Sequence, residues 1–277
     1  MNPPERKDVP FFAYGVFRPG QLAFHRLKPF IAVVRGASIQ GELRERDGLP
    51  ILDPDGSGTV SGSLLAFRPE AGTDAYQAIV NLEPDHQYRW DTRLVDGAAA
   101  NVLVGKSPKE GSVPAEQEWD GRNDPLFTVA LDIVRETTNA NRKFEWDLKP
   151  LFRLEMAYLL LWSAIERYLS LRYSLGGSVV AKIRKLADEP AFGEALAELK
   201  LTPRELFRAD QPRKRVRLDA SDPNGCVDYY YQVRSNLAHR GKAVVADHDR
   251  VVSALTELSS IFERVLARGF ADASSDA

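Results

Sequence analysis

The sequence predicts an α+β protein in which a small mixed β-barrel precedes an all-α helical bundle. Three observations predict it. From Val9 to about Lys106 the chain runs through short β-type stretches separated by turn residues. Asp147 to Tyr173 carries apolar residues at helical spacing along its whole length. Between them, Pro108 to Asn123 is rich in Ser, Pro, Gly and charge and has no apolar periodicity, which reads as a linker. The expected organisation is a barrel domain over 8–107, a linker over 108–123 and a helical domain over 124–270.

Phe11-Phe12-Ala13-Tyr14 is the first strand and Ile31-Ala32-Val33-Val34 the second; Val60 to Phe67, Tyr88 to Val95 and Asn101 to Val104 follow. Gly48-Leu49-Pro50, Asp53-Pro54-Asp55-Gly56 and Asp96-Gly97 mark turns, because Gly, Pro and Asp supply the backbone angles that turns require. One helix, roughly Thr73 to Leu82, interrupts the strands with Tyr76, Ile79 and Val80 on one face.

In the second half, Leu126 to Glu136 places Leu126, Val129, Ile133 and Val134 on a stripe. Asp147 to Tyr173 carries Leu151, Leu154, Tyr158, Leu161, Ile165 and Tyr168 on its main stripe. Phe152, Leu159, Trp162 and Leu169 widen that face beyond what one-sided burial requires. Such a helix is either central in a bundle or shared with another subunit. Gly176-Gly177-Ser178 ends it, with Ser178 capping a helix over Val179 to Ala187; Ala191 to Leu199 follows. Thr202-Pro203-Arg204-Glu205 reads as a fresh helix start, Thr202 capping and Pro203 at the first position. The last two helices are expected over Val227 to Arg240, stopped by Gly241, and over Asp247 to Leu266.

Composition narrows the function classes. The chain holds 37 basic and 39 acidic residues, a formal charge of −2, so any affinity for nucleic acid must come from a local patch. Cys226 is the only cysteine, which excludes an intrachain disulfide and thiolate-rich metal sites and suits a reducing, cytoplasmic setting. His25, His86 and His248 are scattered without metal-ligand spacing, so neither a metal nor a cofactor is expected. The longest apolar run, Met156 to Ile165, is too short to span a bilayer, and Met-Asn-Pro-Pro-Glu-Arg-Lys-Asp has no apolar signal core.

Three stretches carry possible chemistry. Tyr14-Gly15-Val16-Phe17-Arg18-Pro19-Gly20 runs a strand into a glycine-containing turn, where consecutive amides can bind a carboxylate. Glu83 follows the inserted helix; it is either a solvated helix-end residue or, inside a cavity, a general base. In Arg234-Ser235-Asn236-Leu237-Ala238-His239 an arginine that stays charged stands near a histidine that titrates close to neutrality, a minimal kit for cutting a phosphodiester. Residues five apart on a helix point about 140° away from each other. The pair therefore converges only if the helix breaks or a second chain completes the site; otherwise these cations complement a helix end. Arg213 to Arg217 is the densest basic run, either solvated surface or a guide for a phosphate backbone. Of Tyr229, Tyr230 and Tyr231, not all can face the core, and an outward ring can stack on an unpaired base.

Two resemblances attach to these residues. The Arg234-to-His239 segment matches the R-x4-6-H motif of HEPN domains, helical modules many of which are metal-independent ribonucleases acting as dimers. The resemblance implies that His239 moves the proton while the RNA 2′-hydroxyl attacks the adjacent phosphate. Arg234 would stabilise the transition state and Asn236 support it. With RNA as the substrate, the basic residues Arg213, Lys214, Arg215, Arg240 and Lys242 are expected to hold its backbone. Tyr14, Gly15, Arg18 and Gly20 match the opening Tyr-Gly-x-Leu-Arg-x-Gly motif of the γ-glutamylcyclotransferase-like (AIG2-like) fold, with Phe17 in place of leucine. Glu83 corresponds to that family's catalytic glutamate and Tyr88-Arg89 to its following strand, although Pro84 replaces the usual glycine. This implies a small-molecule site held by Tyr14, Gly15, Val16, Phe17 and Arg18.

The leading expectation is a HEPN-type RNA endonuclease, a homodimer through its helical domain, with a sensing or scaffolding barrel and a role in stress or phage defence. The alternatives are a cyclotransferase-like enzyme using Glu83, with the helical domain for oligomerisation, and a non-catalytic nucleotide- or RNA-binding module.

Overall fold

A computed structural model describes residues 1–116, 118–140, 148–173, 179–208, 211, 213–239 and 248–275. The chain divides into two compact units. Unit 1 comprises Met1–Pro125 with Ser170–Ser174 and Gly269–Ala277, and unit 2 comprises Leu126–Leu169 with Leu175–Arg268.

Unit 1 contains β1 (Phe11–Ala13), α1 (Phe24–Leu27), β2 (Ile31–Gln40), β3 (Glu42–Arg46), β4 (Leu49–Asp53), β5 (Thr59–Phe67), α2 (Gly72–Val80), β6 (Tyr88–Val95), β7 (Ala98–Gly105) and β8 (Val113–Pro114). Five strands form a mixed sheet in the order β2-β5-β1-β7-β6, and β4-β3-β8 form a second sheet. β1 lies centrally, parallel to β7 and antiparallel to β5. Its run Phe11-Phe12-Ala13 is buried throughout, as a continuous apolar strand between two neighbours should be. The expected barrel does not close among the described residues: β2 and β6 end the five-stranded sheet without pairing to each other.

The hairpin between β6 and β7 turns at Asp96-Gly97, both with positive φ (50° and 83°), which suits the right-handed twist of the strands. The same device, Asp47-Gly48 at 54° and 75°, joins β3 to β4. Leu49 and Pro50, expected in a turn, instead begin β4, an edge strand where proline is tolerated. α2 closes over the sheet through Tyr76, whose hydroxyl donates to Val9 O at 2.8 Å and accepts from Asn101 Nδ2 at 2.8 Å. The stretch read as a linker contributes β8, paired to β3, and buried Trp119, whose Nε1 donates to Gly48 O at 3.2 Å.

Unit 2 is built on α3 (Pro125–Ala140), α4 (Lys149–Arg172), α5 (Val179–Arg184), α6 (Pro190–Glu198), α7 (Pro223–His239) and α8 (His248–Ser275), with Pro125 and the last turns of α4 and α8 counted in unit 1. It is not all-helical, because β9 (Arg204–Phe207) and β10 (Arg215–Leu218) form an antiparallel hairpin. The helix start expected at Thr202 is therefore corrected to a strand. Leu206, Val216 and Leu218 turn inward at period two, whereas Glu205, Phe207, Arg215 and Arg217 turn outward.

The main stripe of α4 is wholly buried, as are Trp162 and Leu169 of the second. Phe152 and Leu159 of that second stripe stay exposed beside Met156, which is 69% exposed. The glycine stop and cap at 176–178 lie outside the described residues, as does Gly241. No described helix is long and apolar enough to cross a membrane.

Candidate active site

In unit 1 the end of β1 delivers Tyr14 into a tight turn. Arg18 N donates to Gly15 O at 2.9 Å, Ala23 N to Val16 O at 3.2 Å, and Gly20, at φ 84°, donates to Ala273 O at 3.0 Å. Gly15 is required by close approach, since a Cβ there would stand 2.5 Å from Pro50 Cγ. The chain after α2 coils on through Asn81 and Leu82, and Glu83 N donates to Ile79 O at 3.1 Å.

These two segments meet. Tyr14, Gly15, Val16, Phe17 and Glu83 line one cleft with Phe11, Ala13, Leu49, Pro50, Tyr88 and Leu103. The cleft is small, with an interior volume of about 30 Å³. Apolar and polar surface share its lining about equally, and Glu83 is the one carboxylate among the lining residues, within reach of whatever occupies the cleft. The amides of Gly15, Val16 and Phe17 donate to no acceptor among the described residues. They are available to an oxyanion or carboxylate.

Tyr14 is committed elsewhere. It is buried, donates to Leu103 O at 2.8 Å and accepts from Leu52 N at 3.2 Å, so it ties β7 to β4 across the cleft floor. Burial pushes its pKa far up, the Leu52 amide opposes this, and the nearby Glu83 charge raises it further. Tyr14 therefore serves as a neutral wall. Tyr88 acts similarly, donating to Pro50 O at 2.9 Å.

Arg18 lies behind the turn, not on the cleft lining. Its guanidinium pairs with Glu118, and Nη1 is buried with no hydrogen-bond partner among the described residues. Arg26, which the sequence reading did not single out, feels the Glu83 charge: burial lowers its pKa and Glu83 works in the opposite direction. No motif marks Arg26; only the fold brings the two charges near.

In unit 2, α7 opens with Asp222 as cap, its Oδ1 accepting from Gly225 N at 3.0 Å, and Pro223 at the first helical position. The helix is unbroken to His239. Arg234 and His239 are thus five positions apart on one continuous helix, positions about 140° apart around an ideal helix axis. Arg234 is half-buried with its guanidinium carbon 5.5 Å from the Tyr231 ring centre, and Tyr231 packs edge-on against Trp162 at 5.4 Å. Arg234 has no carboxylate partner among the described residues, and its Nε is buried unbonded. The side chain of His239, and Arg240 and Lys242 entirely, lie outside the described residues.

Asn236 is buried and occupied. Its Nδ2 donates to Phe207 O at 2.9 Å and its Oδ1 accepts from Gln232 Nε2 at 2.8 Å. Tyr229 and Tyr230 are fully buried, so only Tyr231 of the triplet remains near the surface. Tyr230 donates to Glu257 at 3.0 Å, and Arg204 clamps Glu257 with both terminal nitrogens. Arg213, Lys214 and Arg215 are exposed on the β9–β10 hairpin. A scan against protein-family models and searches of curated proteins and of solved structures found no match to this chain.

Proposed function

We propose that the unit 1 cleft is an acid–base site for a small γ-glutamyl compound, with Glu83 as the group that moves the proton. The observation that carries this reading is the meeting of Glu83 with the Tyr14–Phe17 turn in one partly enclosed cleft. The chemistry follows the γ-glutamylcyclotransferase-like resemblance. Glu83 takes a proton from the substrate's α-ammonium group, and the freed amine attacks the γ-carbonyl carbon. The bond from that carbon to the leaving amine then breaks as Glu83 returns its proton to the leaving nitrogen, and the attacking nitrogen gives up its second proton to solvent. The products are a five-membered lactam and a free amine. The unengaged amides of Gly15, Val16 and Phe17 stabilise negative charge on substrate oxygen.

The test is release of 5-oxoproline from a panel of γ-glutamyl amines and amino acids, followed by mass spectrometry. Glu83→Gln, which keeps the shape and removes the base, is expected to lower the rate 10²–10⁴-fold, the usual contribution of a positioned acid–base group. A wild-type protein that releases no lactam from any panel member sinks the enzymatic reading and leaves the cleft as a binding site.

A second reading belongs to unit 2, and Arg234, with no carboxylate partner among the described residues and carried on an unbroken helix, favours it. Here two α7 helices, one from each of two chains, bring Arg234 of one chain to His239 of the other for metal-independent RNA cleavage. Labelled RNA in EDTA is expected to be cut to cyclic-phosphate ends by wild type and not by His239→Ala. Light scattering should show that both proteins form the same dimer. A wild-type monomer that still cuts, or a dimer that cuts none of several RNAs, removes this reading.

A further inference from the structure

We infer that the outer face of the β9–β10 hairpin is a binding platform for single-stranded nucleic acid. This deepens the unit 2 reading, by assigning the strand's binding surface, but needs no cleavage.

The register places Phe207 opposite Arg215 and Glu205 opposite Arg217, and these four side chains share the outward face. Phe207 is 48% exposed, and the Arg215 guanidinium lies 4.8 Å from its ring centre. About half of the ring stays open to water on the outward face of this four-residue strand. Stacked with a guanidinium, it offers a flat, cationic surface on which an unpaired base can continue the stack. Arg213 and Lys214 stand exposed beside this pair, with no carboxylate partner among the described residues. Glu205 and Asp219 neutralise only Arg215 and Arg217 respectively. A ring that stacks, next to cations that meet phosphates, matches single-stranded chemistry. A duplex hides its base faces and would leave Phe207 unused.

The platform is also fixed in place. On the inner face Arg204 is clamped to Glu257 and donates from Nε to the Tyr229 hydroxyl at 3.0 Å. The Phe207 carbonyl is held by Asn236. The asparagine of the Arg234-to-His239 segment thereby ties the platform to the helix that carries Arg234, one turn or less away along α7. Asn236 is a positioning residue in this account.

The experiment uses the full chain carrying His239→Ala, so that binding is read whether or not the protein cleaves RNA. Fluorescence anisotropy is measured with a labelled 12-nucleotide oligo-U RNA, the same length of RNA duplex, heparin and poly-glutamate as competitors. Oligo-U is expected to bind tighter than the duplex. Phe207→Ala is expected to weaken oligo-U binding about tenfold without changing its salt dependence, within the range for one stacked base. Arg213→Glu with Lys214→Glu should weaken it and flatten the salt dependence, since each phosphate contact contributes about 0.7 to the slope on a single strand. Thermal melting checks that each variant folds; Phe207→Leu, which keeps apolar bulk but no ring, serves if Phe207→Ala does not. The inference is overturned if Phe207→Ala and Phe207→Leu bind like the parent. It is also overturned if heparin or the duplex binds as well as oligo-U, or if poly-glutamate does, which would mark an acidic protein segment as the occupant.

Discussion

In unit 1 the candidate chemistry is gathered from separated stretches: a turn after β1, a carboxylate after α2, and walls from β4, β6 and β7. In unit 2 it is contiguous, six residues of one helix. The contiguous motif is the easier to see in a sequence and the harder to turn into a site. An α-helix fans neighbouring side chains around its axis, and α7 keeps its regular geometry through His239. The scattered set needs a fold to bring it together, and there the fold does so. Proximity in sequence and convergence in space are different properties, and catalysis depends on the second.

The widest test of that contrast is a crossed pair of variants. Glu83→Gln is expected to cut lactam release and leave RNA cleavage and binding intact, whereas His239→Ala should remove RNA cleavage and leave RNA binding and lactam release intact. The effect of Glu83→Gln should reach 10²–10⁴-fold in the reaction rate at an unchanged melting temperature. If either variant lowers both activities with no loss of stability, the two sites are coupled and the contrast between them fails.

Asn236 gives a sharper, smaller test. Placed by sequence among the catalytic candidates, it is buried and makes two hydrogen bonds to its own chain. Asn236→Ala strands the Phe207 carbonyl and the Gln232 amide, so a loss of about 1–3 kcal/mol is expected in urea unfolding. A stabilising second substitution elsewhere should then restore RNA binding along with stability. If Asn236→Ala unfolds like wild type while cleavage drops, Asn236 acts on substrate and its tie to the hairpin is incidental.

What the sequence made legible follows the range of the interactions involved. β6, β7 and their Asp96-Gly97 turn were readable because β-rich runs flank a two-residue turn signal. The Asp47-Gly48 turn carries the same signal, but Glu42-Leu43-Arg44-Glu45-Arg46 is too charged to read as a strand without its partners β4 and β8. The hairpin of unit 2 was hidden by Thr202-Pro203-Arg204-Glu205, whose local preference is a helix start. Pairing of Leu206 with Val216 overrides it, and that pairing is visible only across the intervening loop. The barrel failed for the same reason, since closure depends on whether β2 and β6 pair. Glu83 was legible as a residue; its cleft was not, because Leu49, Tyr88 and Leu103 arrive from three different strands.

The smallest expected effect concerns Cys226, in the first turn of the motif helix. The thiol is buried and donates to Asp219 O at 3.0 Å, and burial pushes its pKa from 9.0 up to about 11. The folded state therefore holds the proton more tightly than the unfolded chain. The stability this contributes is complete below about pH 9 and is lost as pH rises through about 11, because the unfolded thiol ionises first. Other groups titrate in the same range, so the informative quantity is the difference between wild type and Cys226→Ala. That gap in urea midpoint is expected to narrow from pH 7.5 to pH 10.5. A gap that stays constant would place the thiol in contact with water and show that the start of α7 opens, making even the contiguous motif less rigid than its unbroken helix suggests.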